Sequence, residues 1–308
     1  MKNKKITFFQ RAKYVVKDTI QRFSAADPIV YSAAIAFFTL FSLPSILYII
    51  VRVAGAITSS ESIRKELYRQ VNEKIGKGSA EQIDMILSEG SKLGNDPLTN
   101  ILSIFLLLFT ATVVFNFIKK ALNSIWNVKP RPKKGWLKFI IDRLLSFSLI
   151  VLMGALIITS VLADSVIAFF EDSFKDQLFG LTPFIVKASN FLVSFALLTA
   201  VFTLLFKIMP DIKSPWKPVF VGGTITAGLF TLGKYIIGGI IGSTSISTTY
   251  GAAGSLAALL LWVFYSSVIV LLGAIFTKIY YLHLGFHVMP SENAVAIEVK
   301  EIEKEKDD

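Results

Sequence analysis

Ionisable side chains inside long apolar runs are the residues of this sequence with the most chemistry to offer. A charge at membrane depth is costly unless it meets a cavity or a partner. Lys234 is the clearest. At ~1.5 Å of rise per residue it lies about 27 Å along a helix that starts at Trp216, in the outer half of a bilayer. Arg52, Lys187 and Asp164 fall at similar depths in three other runs. Three cations and one anion at one level suit the recognition of a phosphate or carboxylate, with Tyr235 and Tyr250 as neighbouring hydrogen-bonding groups. Snorkelling of Arg52 and Lys187 to the interface is the competing reading. No catalytic residue and no metal site is expected. The chain has no Cys and two His, His283 and His287, and no carboxylate near them completes a ligand set before Glu292. A nucleotide-binding loop of the Gly-x4-Gly-Lys-Ser/Thr type is also missing, so no cofactor is expected.

The elements that carry these residues follow from hydropathy. Of 308 residues, 53% are hydrophobic and 18% charged, and the mean hydropathy is +0.61. That composition excludes an ordinary soluble domain and predicts an all-α integral membrane protein. Six runs are long enough to cross a hydrocarbon core of ~30 Å: residues 29–57, 98–118, 139–170, 182–206, 216–241 and 250–280. Together, as residues 1–290, they predict one six-helix membrane domain, followed by a disordered tail over 291–308. Four runs open on a capping residue and a proline, at Asp27-Pro28, Asp96-Pro97, Thr182-Pro183 and Ser214-Pro215.

The net charge of +10 is distributed by membrane side. Lys2, Lys4, Lys5, Arg11, Lys13, Lys17 and Arg22 precede the first run. Lys119 to Lys138 follow the second, and Lys207, Lys213 and Lys217 lie after the fourth. The positive-inside rule places these segments, and both termini, in the cytoplasm. Phe8, Ala12, Val15, Val16, Thr19, Ile20 and Phe23 recur at helical spacing and predict an interfacial helix ahead of the first span, with docking onto a protein as the alternative. The segment 58–95, outside by parity, reads as two amphipathic helices broken near Gly76 and Gly78. It caps the bundle, gates a cavity or rests on lipid.

Seven glycines, Gly222, Gly223, Gly228, Gly233, Gly238, Gly239 and Gly242, crowd the fifth run. Gly251, Gly254, Ser255 and Ala258 give the sixth a small-residue stripe. These two helices are expected to pack closely, or to break between Gly238 and Tyr250. Pro44 is expected to kink the first span. Gly233, Gly238, Gly239, Gly242, Gly251 and Pro44 are therefore the candidate packing or gating residues.

Read together, the chain resembles the YihY/virulence factor BrkB family of bacterial inner-membrane proteins. The resemblance covers most of the sequence. It rests on Tyr31-Ser-Ala-Ala-Ile-Ala-Phe-Phe-Thr-Leu-Phe-Ser-Leu before Pro44, on Ala121-Leu-Asn-Ser-Ile-Trp126 with Arg131-Pro132, and on Met209-Pro-Asp-Ile-Lys-Ser-Pro-Trp216. Phe230-Thr-Leu-Gly-Lys-Tyr235, Tyr250-Gly-Ala-Ala-Gly and Leu261-Trp-Val-Phe-Tyr265 through Leu272-Gly-Ala274 complete it. Asn123, Trp126, Trp262 and Tyr265 are its motif residues. Ile275 stands where many relatives carry an acid, so no mechanism needing that carboxylate carries over. The resemblance implies a multi-pass protein of the bacterial cell membrane. Such proteins were formerly labelled ribonuclease BN and have been suggested to move envelope lipids.

The residues do not support the ribonuclease reading. The basic segment Lys129 to Lys138, with Trp126 and Trp136, suits anionic headgroups as well as RNA, and no nucleic-acid partner is expected. Transport or flipping of an anionic amphiphile is the favoured function, and a non-transporting envelope scaffold the alternative. Membrane lipids are the expected partners, and a homo-oligomer stays open.

Overall fold

The computed structural model describes residues 8–25, 27–55, 57, 59–75, 77–91, 113–131, 182–243 and 252–298, with scattered helical positions between 140 and 155. Most of the second and third expected spans, with Asp164, Tyr250 and Gly251, lies outside the described residues. Those described are mainly helical: α1 (Phe8–Ala25), α2 (Pro28–Gly55), α3 (Ser60–Ile75), α4 (Lys77–Ser91), α5 (113–125), α6 (Thr182–Ile208), α7 (Trp216–Ser243) and α8 (Ala252–His283). Two short strands, β1 (Val128–Pro130) and β2 (Ala294–Ala296), pair antiparallel. By length and composition Ala188–Ile208 and Gly254–His283 can each cross a membrane. A bent pair, Lys13–Phe23 with Pro28–Pro44, makes a third candidate if it is taken as one span.

Proline and glycine set the helix ends. Pro28 opens α2 behind Asp27, whose carbonyl accepts from the amide of Val30 at 3.1 Å. α5 stops at Asn127, in the left-handed region at φ 53°, with its amide on the Ser124 carbonyl. At the end of α8, Gly285 adopts φ 84°, and the bonds Gly285 N–Leu282 O and Phe286 N–Tyr281 O form a Schellman closure. Pro44 is exposed inside α2, which remains helical on both sides of it.

α7 packs between α6 and α8, and α8 also meets α2, α1 and α4. The closeness of α7 and α8 has a specific cause. A Cβ at Gly222 would overlap the Thr277 hydroxyl, and a Cβ at Gly273 would overlap that of Thr226. Each threonine donates its hydroxyl back to the glycine carbonyl four residues earlier on its own helix, Thr226 to Gly222 and Thr277 to Gly273, both at 2.7 Å. The Gly-x3-Thr pairs thus face each other reciprocally, with their polar groups satisfied inside an apolar interface. A Cβ at Gly223 would likewise overlap the Thr203 hydroxyl of α6, and one at Gly233 the Tyr265 hydroxyl of α8. The expected close packing of these helices is present. The expected break is not found as far as Ser243, because α7 stays helical through Gly238, Gly239 and Gly242.

The segment between α2 and the second expected span forms the two anticipated helices, α3 and α4. They do not rest apart from the bundle. Ile83 and Leu87 of α4 join Leu47 of α2 and Leu259 of α8 in one apolar cluster, and Ile63 of α3 is fully buried in the main core. The small stripe of α8 serves this contact: a Cβ at Gly78 would lie 3.2 Å from Ser255 Cβ, and Ser79 donates to the Ser255 carbonyl at 3.3 Å. Arg64 ties α3 to α4 through both Asp84 oxygens, at 2.5 and 2.8 Å. This hydrogen-bonded guanidinium holds the Asp84 carboxyl below its ordinary value of 3.8. A depressed carboxyl stabilises the fold above its unfolded value and loses that contribution as pH falls through the folded one. The α3–α4 contact is therefore expected to keep its hydrogen-exchange protection from neutral pH down to about 4 and to lose some below it. In Asp84→Asn that acid step should be absent.

Candidate functional site

The expected cationic level is described in part. Lys234 is half-buried on α7. Helical spacing puts Phe230 one turn before it on the same face, and an aromatic wall is built beside that turn. Phe202 of α6 meets the Phe230 ring at 5.6 Å, and Trp262 of α8 meets it edge-on at 6.2 Å. The Tyr265 hydroxyl lies against Gly233, the residue next to Lys234. Two residues singled out as motif positions, Trp262 and Tyr265, are thus brought to the Lys234 turn. Arg52 lies in the last turn of α2 and Lys187 in the second turn of α6. Their side chains and that of Tyr235 lie outside the described set, so the convergence of the three cations is not part of this geometry.

The other two motif residues, Asn123 and Trp126, lie at the opposite end of the bundle, where the basic segments gather. Asn123 is 3% exposed and reads Asp211 twice: its Oδ1 accepts from the Asp211 amide at 2.8 Å and its Nδ2 donates to Asp211 Oδ2 at 2.9 Å. Lys119, one turn earlier on α5, places Nζ 3.1 Å from Asp211 Oδ1. The Asp211 carbonyl accepts from the Ser291 amide at 2.9 Å. Lys278 of α8, 6% exposed, donates to the Ile125 carbonyl at 2.6 Å, placing a cation at the negative end of the α5 dipole. Above these polar contacts Trp126, Val128, Ile212 and Tyr281 form a small apolar cluster with Val288, and the Tyr281 hydroxyl donates to the His287 carbonyl.

The first eight residues of the expected disordered tail therefore have structure, and residues 299–308 lie outside the described residues. Residues 291–298 return across the end of the bundle, and β2 pairs with β1 in the register Val128↔Ala296. Low hydrophobicity argued for disorder; backbone pairing supplies what the side chains lack. His287 provides only its backbone to this cluster. His283 donates its Nδ1–H to the Ile279 carbonyl at 3.0 Å, and its Nε2 lies 3.6 Å from Asp18 of α1. Among the described residues no group of three His, Cys, Asp or Glu side chains can hold a metal.

Sequence reasoning passed over Lys119, Asp211 and Lys278 as site residues. For Lys278 a signal existed: it is a cation inside a long apolar run, the criterion that singled out Lys234.

Long apolar helices, small-residue helix contacts and buried charges tied to backbone carbonyls define a helical membrane protein. The model of the virulence factor BrkB family matches residues 19–285, and the chain belongs to that family. Relatives described as UPF0761 membrane proteins include one from Teredinibacter turnerae, 29% identical over 80% of this chain and 55% of its own length. Another, from Acinetobacter baylyi, is 26% identical over 92% of this chain and 65% of its own. A third, from Pseudoalteromonas atlantica, is 27% identical over 88% of this chain and 87% of its own. The chain spans about half the length of several of the curated relatives it matches. No solved structure matches it.

Proposed function

We propose that this chain is a six-span protein of the bacterial inner membrane, with both termini cytoplasmic, that moves an anionic amphiphile between leaflets. Lys234 meets the phosphate or carboxylate, and Arg52 of α2 and Lys187 of α6 supply further positive charge. The observation that carries the reading is a half-buried lysine beside an aromatic wall, on a helix otherwise devoted to close apolar packing. A charge at that depth costs free energy in hydrocarbon, and an anionic headgroup beside it offsets the cost. The reaction needs no covalent chemistry, only a charged group that lowers the cost of a headgroup in hydrocarbon.

The test is lipid retention in mild detergent. An anionic lipid held by the wild type and lost in Lys234→Met supports the assignment. Identical bulk lipid in both removes it. A scaffold role is the second reading, favoured by the way α3 and α4 dock firmly on α2 and α8 and so present a fixed outer surface.

A further inference from the structure

α1 has two faces, and the structure assigns one of them. Val15, Thr19 and Phe23 turn toward the bundle: Val15 and Thr19 are buried, and Phe23 packs on the main core. Asp18 on the same side reaches His283 at the end of α8. The remaining face has no protein against it among the described residues. Tyr14, Val16 and Ile20 are 53%, 52% and 62% exposed, and Lys13, Lys17, Gln21 and Arg22 are exposed as well. Val16 and Ile20 are four apart and so stack in one stripe, and Lys13 and Lys17 form a parallel stripe beside it.

A helix facing only water gains nothing from valine and isoleucine at exposed positions, and a protein-docking face would be closed by a broader apolar strip. Here one narrow apolar stripe runs beside a cationic one. The helix axis also bends by 67° from Pro28–Pro44 of α2. If α2 crosses the bilayer, α1 lies near its plane. Ile29 and Val30, at the start of α2, are 59% and 66% exposed and add apolar surface on the next helix.

We propose that the free face of α1 is a binding surface for anionic lipid in the cytoplasmic leaflet. Val16 and Ile20 enter the acyl boundary, Lys13 and Lys17 take the phosphate groups, and the opposite face stays fixed on α8. The site is separate from the Lys234 turn and does not depend on transport.

The absence of cysteine allows a clean test on the full chain. Ile20→Cys and Lys17→Cys, each spin-labelled, are reconstituted in vesicles of phosphatidylglycerol with phosphatidylcholine, and label depth is read from collision with oxygen against a water-soluble nickel complex. The depth is read whichever way the protein faces. The label at residue 20 is expected about 5–10 Å below the phosphates and the label at residue 17 at headgroup level. Lys13→Gln/Lys17→Gln should lower the phosphatidylglycerol enrichment of tightly held lipid about tenfold. Lys13→Arg/Lys17→Arg, which keeps the charge, should retain it. A residue-20 label as open to nickel as one placed on exposed Lys77 overturns the proposal and gives the face to water or a protein. Unchanged enrichment in the glutamine variant overturns its anionic part.

Discussion

Asp211→Ala is expected to destabilise the protein by about 3–5 kcal/mol, the range for breaking a buried ion pair by removing one partner. The Lys119 and Asp211 side chains are only 10% and 8% exposed, so water does not replace the lost carboxylate. The substitution also takes from Asn123 the oxygen to which its amide donates. Thermal unfolding in detergent, followed by intrinsic fluorescence, reads the loss. Asp211→Asn, which keeps an acceptor for Asn123, should cost less. In Lys119→Met/Asp211→Ala the combined cost should be smaller than the sum of the single costs, because the cation no longer lacks its carboxylate. Additive costs would mean that the two side chains act independently.

The second large effect is expected at Gly222. A Cβ there would stand 2.8 Å from Thr277 Cβ, closer than side chains pack. Gly222→Ala must therefore push α7 and α8 apart, at a cost of about 1–3 kcal/mol, and Gly222→Leu more. Part of the loss should return in Gly222→Ala/Thr277→Gly, which empties the space the new methyl needs. Gly228→Ala is the control on the same helix, since nothing lies within 4 Å of a Cβ at that position. Alanine is the better helix former, so Gly228→Ala should not destabilise, and an equal loss there would show that the approach of α8 is not what makes Gly222 sensitive.

The two ends of the bundle were unequally legible in the sequence. Proline with a preceding cap placed the starts of α2, α6 and α7, and Gly76 marked the break between α3 and α4, because these signals act on the backbone within one turn. Crowded glycines announced a close helix contact. Their partners, Thr277 and Thr226, were not legible, because which side chain fills the space over a glycine is decided by the crossing of two helices. The lattice around Asp211 was hidden for a similar reason. Asn123 and Trp126 stood out chiefly as part of a resemblance, and their use depends on residues after α8 folding back to meet them. The pairing of Val128 with Ala296 leaves no local pattern at all, since three-residue strands have too few positions to show alternation.

The same contrast bears on function. The contacts at the basic end tie α5, the connection before α7 and the segment after α8 into one unit, and the reciprocal Gly-x3-Thr pairs join α7 to α8.

The most direct measurement is translocation itself. Wild type and Lys234→Met, matched for thermal stability, are reconstituted into vesicles carrying fluorescent phosphatidylglycerol, and the fraction reached by an external quencher is followed in time. The wild type is predicted to expose the inner-leaflet probe while Lys234→Met does no better than empty vesicles. Translocation by Lys234→Met at the wild-type rate, or none by the wild type, would contradict the account.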